Sequence, residues 1–140
     1  MKNTFNLFAI IALVAVIGFS FFACSSTPSN PGSTPELVGL YLSLYPDVGP
    51  RTEFTATDGL CYYIAGRDQD KDVKKAVALC KNDSGIVVLN RTTDIRINSI
   101  SFNYSIGTYK LAIGNYTLEV YVIDSKGNIS NTLSTDFKVK

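Results

Sequence analysis

Between positions 116 and 123 the chain alternates with a period of two. Tyr116, Leu118, Val120 and Val122 interleave with Thr117, Glu119, Tyr121 and Ile123. Successive side chains of an extended chain point to opposite faces, so the first set makes one wholly apolar face that must turn inward. A helix would scatter these residues around its axis. The segment is therefore a β-strand, and the pattern recurs. Ile100, Phe102, Tyr104 and Ile106 alternate with Ser99, Ser101, Asn103 and Ser105. Leu133, Thr135, Phe137 and Val139 alternate with Ser134, Asp136, Lys138 and Lys140. Between the strands at 116–123 and 133–140 lie Asp124, Ser125, Lys126, Gly127 and Asn128, which carry turn chemistry, with Gly127 free to take a positive φ. These two strands are expected to form a hairpin. Further strands are expected at 37–45, 60–66 and 73–81, with a shorter one at 86–89. No long stretch shows helical spacing. About seven short strands within residues 37–140 predict an all-β, antiparallel sandwich.

The first 36 residues follow a different logic. Lys2 is the only charge before Cys24, and residues 7–18 are an unbroken apolar run of signal-peptide length. Ser20-Phe21-Phe22-Ala23-Cys24 then resembles a bacterial lipobox, in which a small residue precedes a Cys. The match is at Ala23 and Cys24; Phe21 and Phe22 depart from the commonest pattern. The resemblance implies cleavage after Ala23, a diacylglyceryl group on the Cys24 sulfur, and attachment to a membrane of the bacterial cell envelope, periplasmic or surface-exposed. Two alternatives are an uncleaved apolar anchor and an ordinary secretory signal; all three export the domain. Residues 25–36 read "SSTPSNPGSTPE", with no large apolar residue. Such a segment cannot bury surface and is expected to act as an extended, mobile tether. The expected organisation is a lipoprotein signal peptide at 1–23, a lipidated Cys and tether at 24–36, and one folded domain at 37–140.

Composition excludes several function classes. Lys plus Arg is 13 and Asp plus Glu is 12, so removal of Lys2 with the signal leaves the two signs equal. No basic excess points to nucleic acid. The chain has no His, which removes Ser-His and Cys-His nucleophile pairs and His-ligated metals. No Gly-rich phosphate loop, Gly-x-Ser-x-Gly elbow or Cys-x-x-Cys pair is present.

The stretch "LAIGNYTLEVYVIDSKGNIS" resembles the last hairpin of bacterial immunoglobulin-like and fibronectin type III-like domains. The matching positions are Leu111, Gly114, Tyr116, Leu118, Val120, Val122, Asp124, Gly127, Asn128 and Ser130. The resemblance implies a tyrosine corner at Tyr116, its hydroxyl bonding back to nearby backbone. Likewise "AGRDQDKDVKKAVAL" is similar to their loop between the second and third strands. Such sandwiches host many unrelated roles, so the resemblance implies a fold and little function.

Three groups of residues are candidates for chemistry. Cys61 and Cys80 lie at similar depth from the loop joining their strands, which suits a disulfide in an exported domain. Parity opposes it, because Cys61 alternates with apolar Leu60, Tyr62 and Ile64, whereas Cys80 shares a face with Ala76 and Ala78. The alternative is two separate small hydrophobes. Asp68, Asp70 and Asp72 place alternate carboxylates in one turn, which suits a hard cation such as Ca²⁺. The alternative is a solvated loop among Arg67, Lys71, Lys74 and Lys75. No Gly stands at the sharp turn and no Glu at the EF-hand spacing. Tyr121 and Ile123 occupy the outer face of the clearest strand and are candidates for surface contact. Asn-x-Ser/Thr sequons occur at Asn82, Asn90, Asn103, Asn115 and Asn128; in a bacterium these are ordinary loop composition.

The sequence therefore predicts a membrane-anchored, non-catalytic binding or structural module for adhesion or envelope docking, with a protein or glycan partner. The alternatives are a carbohydrate- or polymer-binding accessory domain and, last, a metal-dependent enzyme built on the Asp triplet.

Overall fold

The structure is a computed structural model and describes residues 32–44 and 49–140. The expected signal segment, Cys24 and the first part of the tether lie outside the described residues. Within them every regular element is a strand: β1 (Glu36–Leu44), β2 (Glu53–Phe54), β3 (Leu60–Arg67), β4 (Val73–Asn82), β5 (Val87–Ile97), β6 (Ser101–Tyr109), β7 (Gly114–Asp124) and β8 (Leu133–Val139). They form two sheets, one ordered β1-β3-β6 and the other β2-β8-β7-β4-β5. The fold is a β-sandwich, as its alternating pattern requires.

All seven expected strands are present, and β7 and β8 pair antiparallel from Gly114↔Val139 to Val120↔Leu133. Two features differ from expectation. The strand expected at 86–89 begins at Val87 and runs on to Ile97; residues 90–94 are polar on both faces and give no alternation from which to predict it. The cause is position: β5 is the outer strand of the larger sheet, and only Ile95 and Ile97 of its 11 residues are buried. An eighth strand, β2, has two residues and pairs parallel to β8, so the sandwich is not wholly antiparallel. Two residues carry no periodic signal.

The core lies between the sheets. Tyr62 and Ile64 of β3 and Leu42 of β1 come from one side; Val73, Ala76, Ala78 and Cys80 of β4 and Leu118, Val120 and Val122 of β7 come from the other. Burying each large aliphatic side chain contributes roughly 1.5–3 kcal/mol, as an upper estimate against a compact unfolded chain. Gly66 in β3 is required by packing. A Cβ there would stand 2.4 Å from the Phe102 ring and 2.6 Å from the Glu36 carbonyl oxygen. Gly127, with φ of 90°, closes the β7–β8 connection in the left-handed region, as expected from its place in the turn.

Candidate functional site

Three loops and the start of the domain meet at one end of the sandwich. Asp68 opens the β3–β4 loop and is 1% exposed. Its carboxylate accepts the amides of Asp70, at 3.3 Å, and Asp72, at 2.7 Å, while its own amide donates to the Ile100 carbonyl of the β5–β6 loop. Asp124 does the same for the β7–β8 loop, accepting the amides of Lys126 and Asn128, each at 2.8 Å, and the Asn128 side-chain amide. Each Asp folds its own loop by replacing the backbone partners that a turn lacks.

The remaining carboxylates join this end together. Lys126 Nζ lies 2.7 Å from Asp70 Oδ2, which also accepts the Ser33 amide at 2.9 Å. The Lys126 hydrogen bond is the main reason that Asp70 lies below the usual carboxylate range, and Asp70 in turn raises Lys126. Ser125 Oγ donates to Asp72 Oδ2. The Asn131 side chain accepts the Leu37 amide at 2.8 Å and donates to the Leu37 carbonyl at 3.0 Å. Residues 33–37 are thus tied to both loops, and with Pro35 fully buried and Glu36 opening β1 the end of the segment expected as a mobile tether belongs to the domain.

Asp68, Asp70 and Asp72 therefore have separate tasks: an inward cap, an ion pair with Lys126 and a bond to Ser125. Among the described residues no three acidic or cysteine side chains group around one point. The Ca²⁺ expectation loses its support, because the three carboxylates turn to separate partners (amides, a lysine and a hydroxyl) and do not converge. The metal-dependent enzyme reading rested on the same triplet and loses its support with it.

Of the two alternatives for Cys61 and Cys80, a bridge or two separate small hydrophobes, the structure has the second; both are free and buried. They belong to different sheets. Cys80 sits in the core cluster, whereas Cys61 lies on the opposite face of β3, its Sγ 3.5 Å from the Ser43 carbonyl oxygen. Alternation along the strand decides against the bond, which loop distance had favoured. Burial raises both thiols, Cys80 to about 11, so neither resembles an activated nucleophile.

The tyrosines divide. Tyr62 is a core residue. Tyr116 donates to the Ala112 carbonyl at 2.9 Å, the bond its resemblance implied. Tyr41 and Tyr63 stack on the outer face of the three-stranded sheet, with centroids 4.8 Å apart and rings inclined by 8°. Tyr121 and Ile123 lie half-buried on the outer face of the other sheet, opposite Val77 and Lys75 in register.

On that same outer face, a groove of about 680 Å³ crosses β2, β8, β7 and β4 and ends at the β4–β5 turn. Its side chains are held in pairs. Lys81 Nζ donates to Glu119 Oε1 at 2.6 Å, Thr117 Oγ1 to Asp136 Oδ1 at 2.7 Å, and Asn115 Nδ2 to Asp83 Oδ2 at 2.9 Å. At its rim, a hydrogen bond from Lys140 lowers Glu53. Sequence reasoning missed this constellation. Its members are outward polar positions on separate strands, and only the register, with Lys81 opposite Thr117 and Thr117 opposite Asp136, brings them together.

No family model and no curated protein matches the chain. Among solved structures it is similar to CopC from Methylosinus trichosporium OB3b, at 16% identity and a TM-score of 0.45, over 76% of this chain and 93% of that one. A likeness of this size carries no function across to the chain.

Proposed function

We propose that the chain is a lipid-anchored, non-catalytic binding module of the bacterial cell envelope, built on a sandwich of the immunoglobulin or fibronectin type III kind. The strand order supports the fold type: β1, β3 and β6 face β5, β4, β7 and β8, with a tyrosine corner where β7 begins. The observation that carries the functional reading is the tie between residues 33–37 and the β3–β4 and β7–β8 loops. A chain held through Cys24 enters the domain at that end. Absence of His and of any nucleophile–base pair in the sequence supports binding over catalysis.

Phase partitioning of the expressed full chain in detergent tests the anchor. The wild-type protein is expected in the detergent phase and to take up a metabolically supplied alkynyl fatty acid, and Cys24→Ala to take up none, because the diacylglyceryl group sits on the Cys24 sulfur. A wild-type protein that enters the detergent phase and takes up no label would overturn lipid anchoring in favour of an apolar span.

A further inference from the structure

We infer that the groove across the outer face of the five-stranded sheet binds an uncharged glycan chain. This rests on the binding-module reading and names the ligand class of that module. Four strands at a spacing of about 4.8 Å give the groove a length near 15 Å. It runs across the strands, which suits an elongated ligand laid over them. The floor is mixed in character: Asp136, Thr117 and Lys81 lie side by side across β8, β7 and β4, Lys138 lies opposite Asn115, and Glu119 and Asp83 complete the lining. Cationic donors, carboxylate acceptors and a hydroxyl therefore share one surface.

That mixture selects among ligands. A polyanion would meet Glu53, Asp83, Glu119 and Asp136, and a polycation would meet Lys81 and Lys138; either leaves one sign opposed. A sugar hydroxyl both donates and accepts, so successive hydroxyls satisfy both kinds of group. The pairs Lys81–Glu119, Thr117–Asp136 and Asn115–Asp83 hold the side chains in place before any ligand arrives, which reduces the ordering cost of binding. The groove lies at the start of β7 and the end of β8, away from the loop end that receives the tether. A ligand outside the anchoring membrane can reach it.

The test is calorimetric titration of the detergent-purified full-length protein with four neutral tetrasaccharides: cellotetraose, chitotetraose, xylotetraose and maltotetraose. At least one is expected to bind with Kd of about 10 μM to 1 mM. Asp136→Asn and Lys81→Met are each expected to weaken that binding about tenfold, the loss of one charge-assisted hydrogen bond. Tyr41→Ala, on the opposite sheet, is expected to leave it unchanged. All three sites are on solvent faces, and unchanged melting temperatures establish that the variants are folded. Failure of all four sugars to bind at about 10 mM, far above the expected Kd, would overturn the proposal. So would binding that survives both groove substitutions. If pentalysine binds in the groove and no sugar does, the glycan assignment falls and the binding-module reading stands. Fatty-acid labelling of Cys24 is independent of either result.

Discussion

The hydroxyl of Tyr116 shows how one atom ties an irregular loop to a strand. Its bond to the Ala112 carbonyl spans the turn before β7 and gives residues 110–113 a fixed partner. Tyr116→Phe keeps the ring and its stacking on Phe137, with centroids 5.5 Å apart, and removes only that bond. The expected loss is about 1 kcal/mol, seen as a lower denaturant midpoint with an unchanged slope. An unchanged midpoint would mean that water serves the carbonyl equally well. This residue was legible in the sequence because Gly114-x-Tyr116 before an alternating run is a local pattern. The aspartates were legible as turn formers and were misread as ligands. Three carboxylates at alternate positions look alike until burial separates them, and Asp68 is inside while Asp70 faces Lys126.

At the scale of elements, the β3–β4 and β7–β8 loops are joined through Asp70 and Lys126, and the joint has a calculable pH window. Asp70 is lowered from its ordinary value of 3.8, so it contributes stability above that value and loses it as pH falls through the lowered one. Lys126 is raised from 10.5, so its contribution is present below 10.5 and is lost as pH rises beyond it. Lys126→Met should therefore lower the melting temperature by a constant, small amount across the neutral range. The difference should close as pH falls through the lowered Asp70 value and as it rises through the raised Lys126 value, and shrink in 1 M salt. A gap that persists at pH 2 would show that Lys126 acts through its stem rather than its charge. Central strands were legible because both sheets impose alternation on them. β5 was half legible because its outer position leaves residues 90–94 polar on both faces. The exposed charges of Arg91, Asp94 and Arg96 also make β5 a poor template for another strand.

At the scale of the molecule, residues 33–37 join the loops at one end of the sandwich and the groove lies toward the other. The sandwich was legible because it rests on short-range alternation. The groove was not, because it depends on which strands become neighbours: β8, β7 and β4 adjoin in space while β4 is separated from β7 by two strands in sequence. The central claim is that the mature protein is a lipid-held sandwich with two free thiols. Its most direct test is the intact mass of the protein extracted from its native membrane, with and without reduction. The expected result is the mass of residues 24–140 plus acyl chains, unchanged by reductant. A mass for the full chain from Met1 would contradict the anchor, and a two-proton gain on reduction would contradict the separate burial of Cys61 and Cys80.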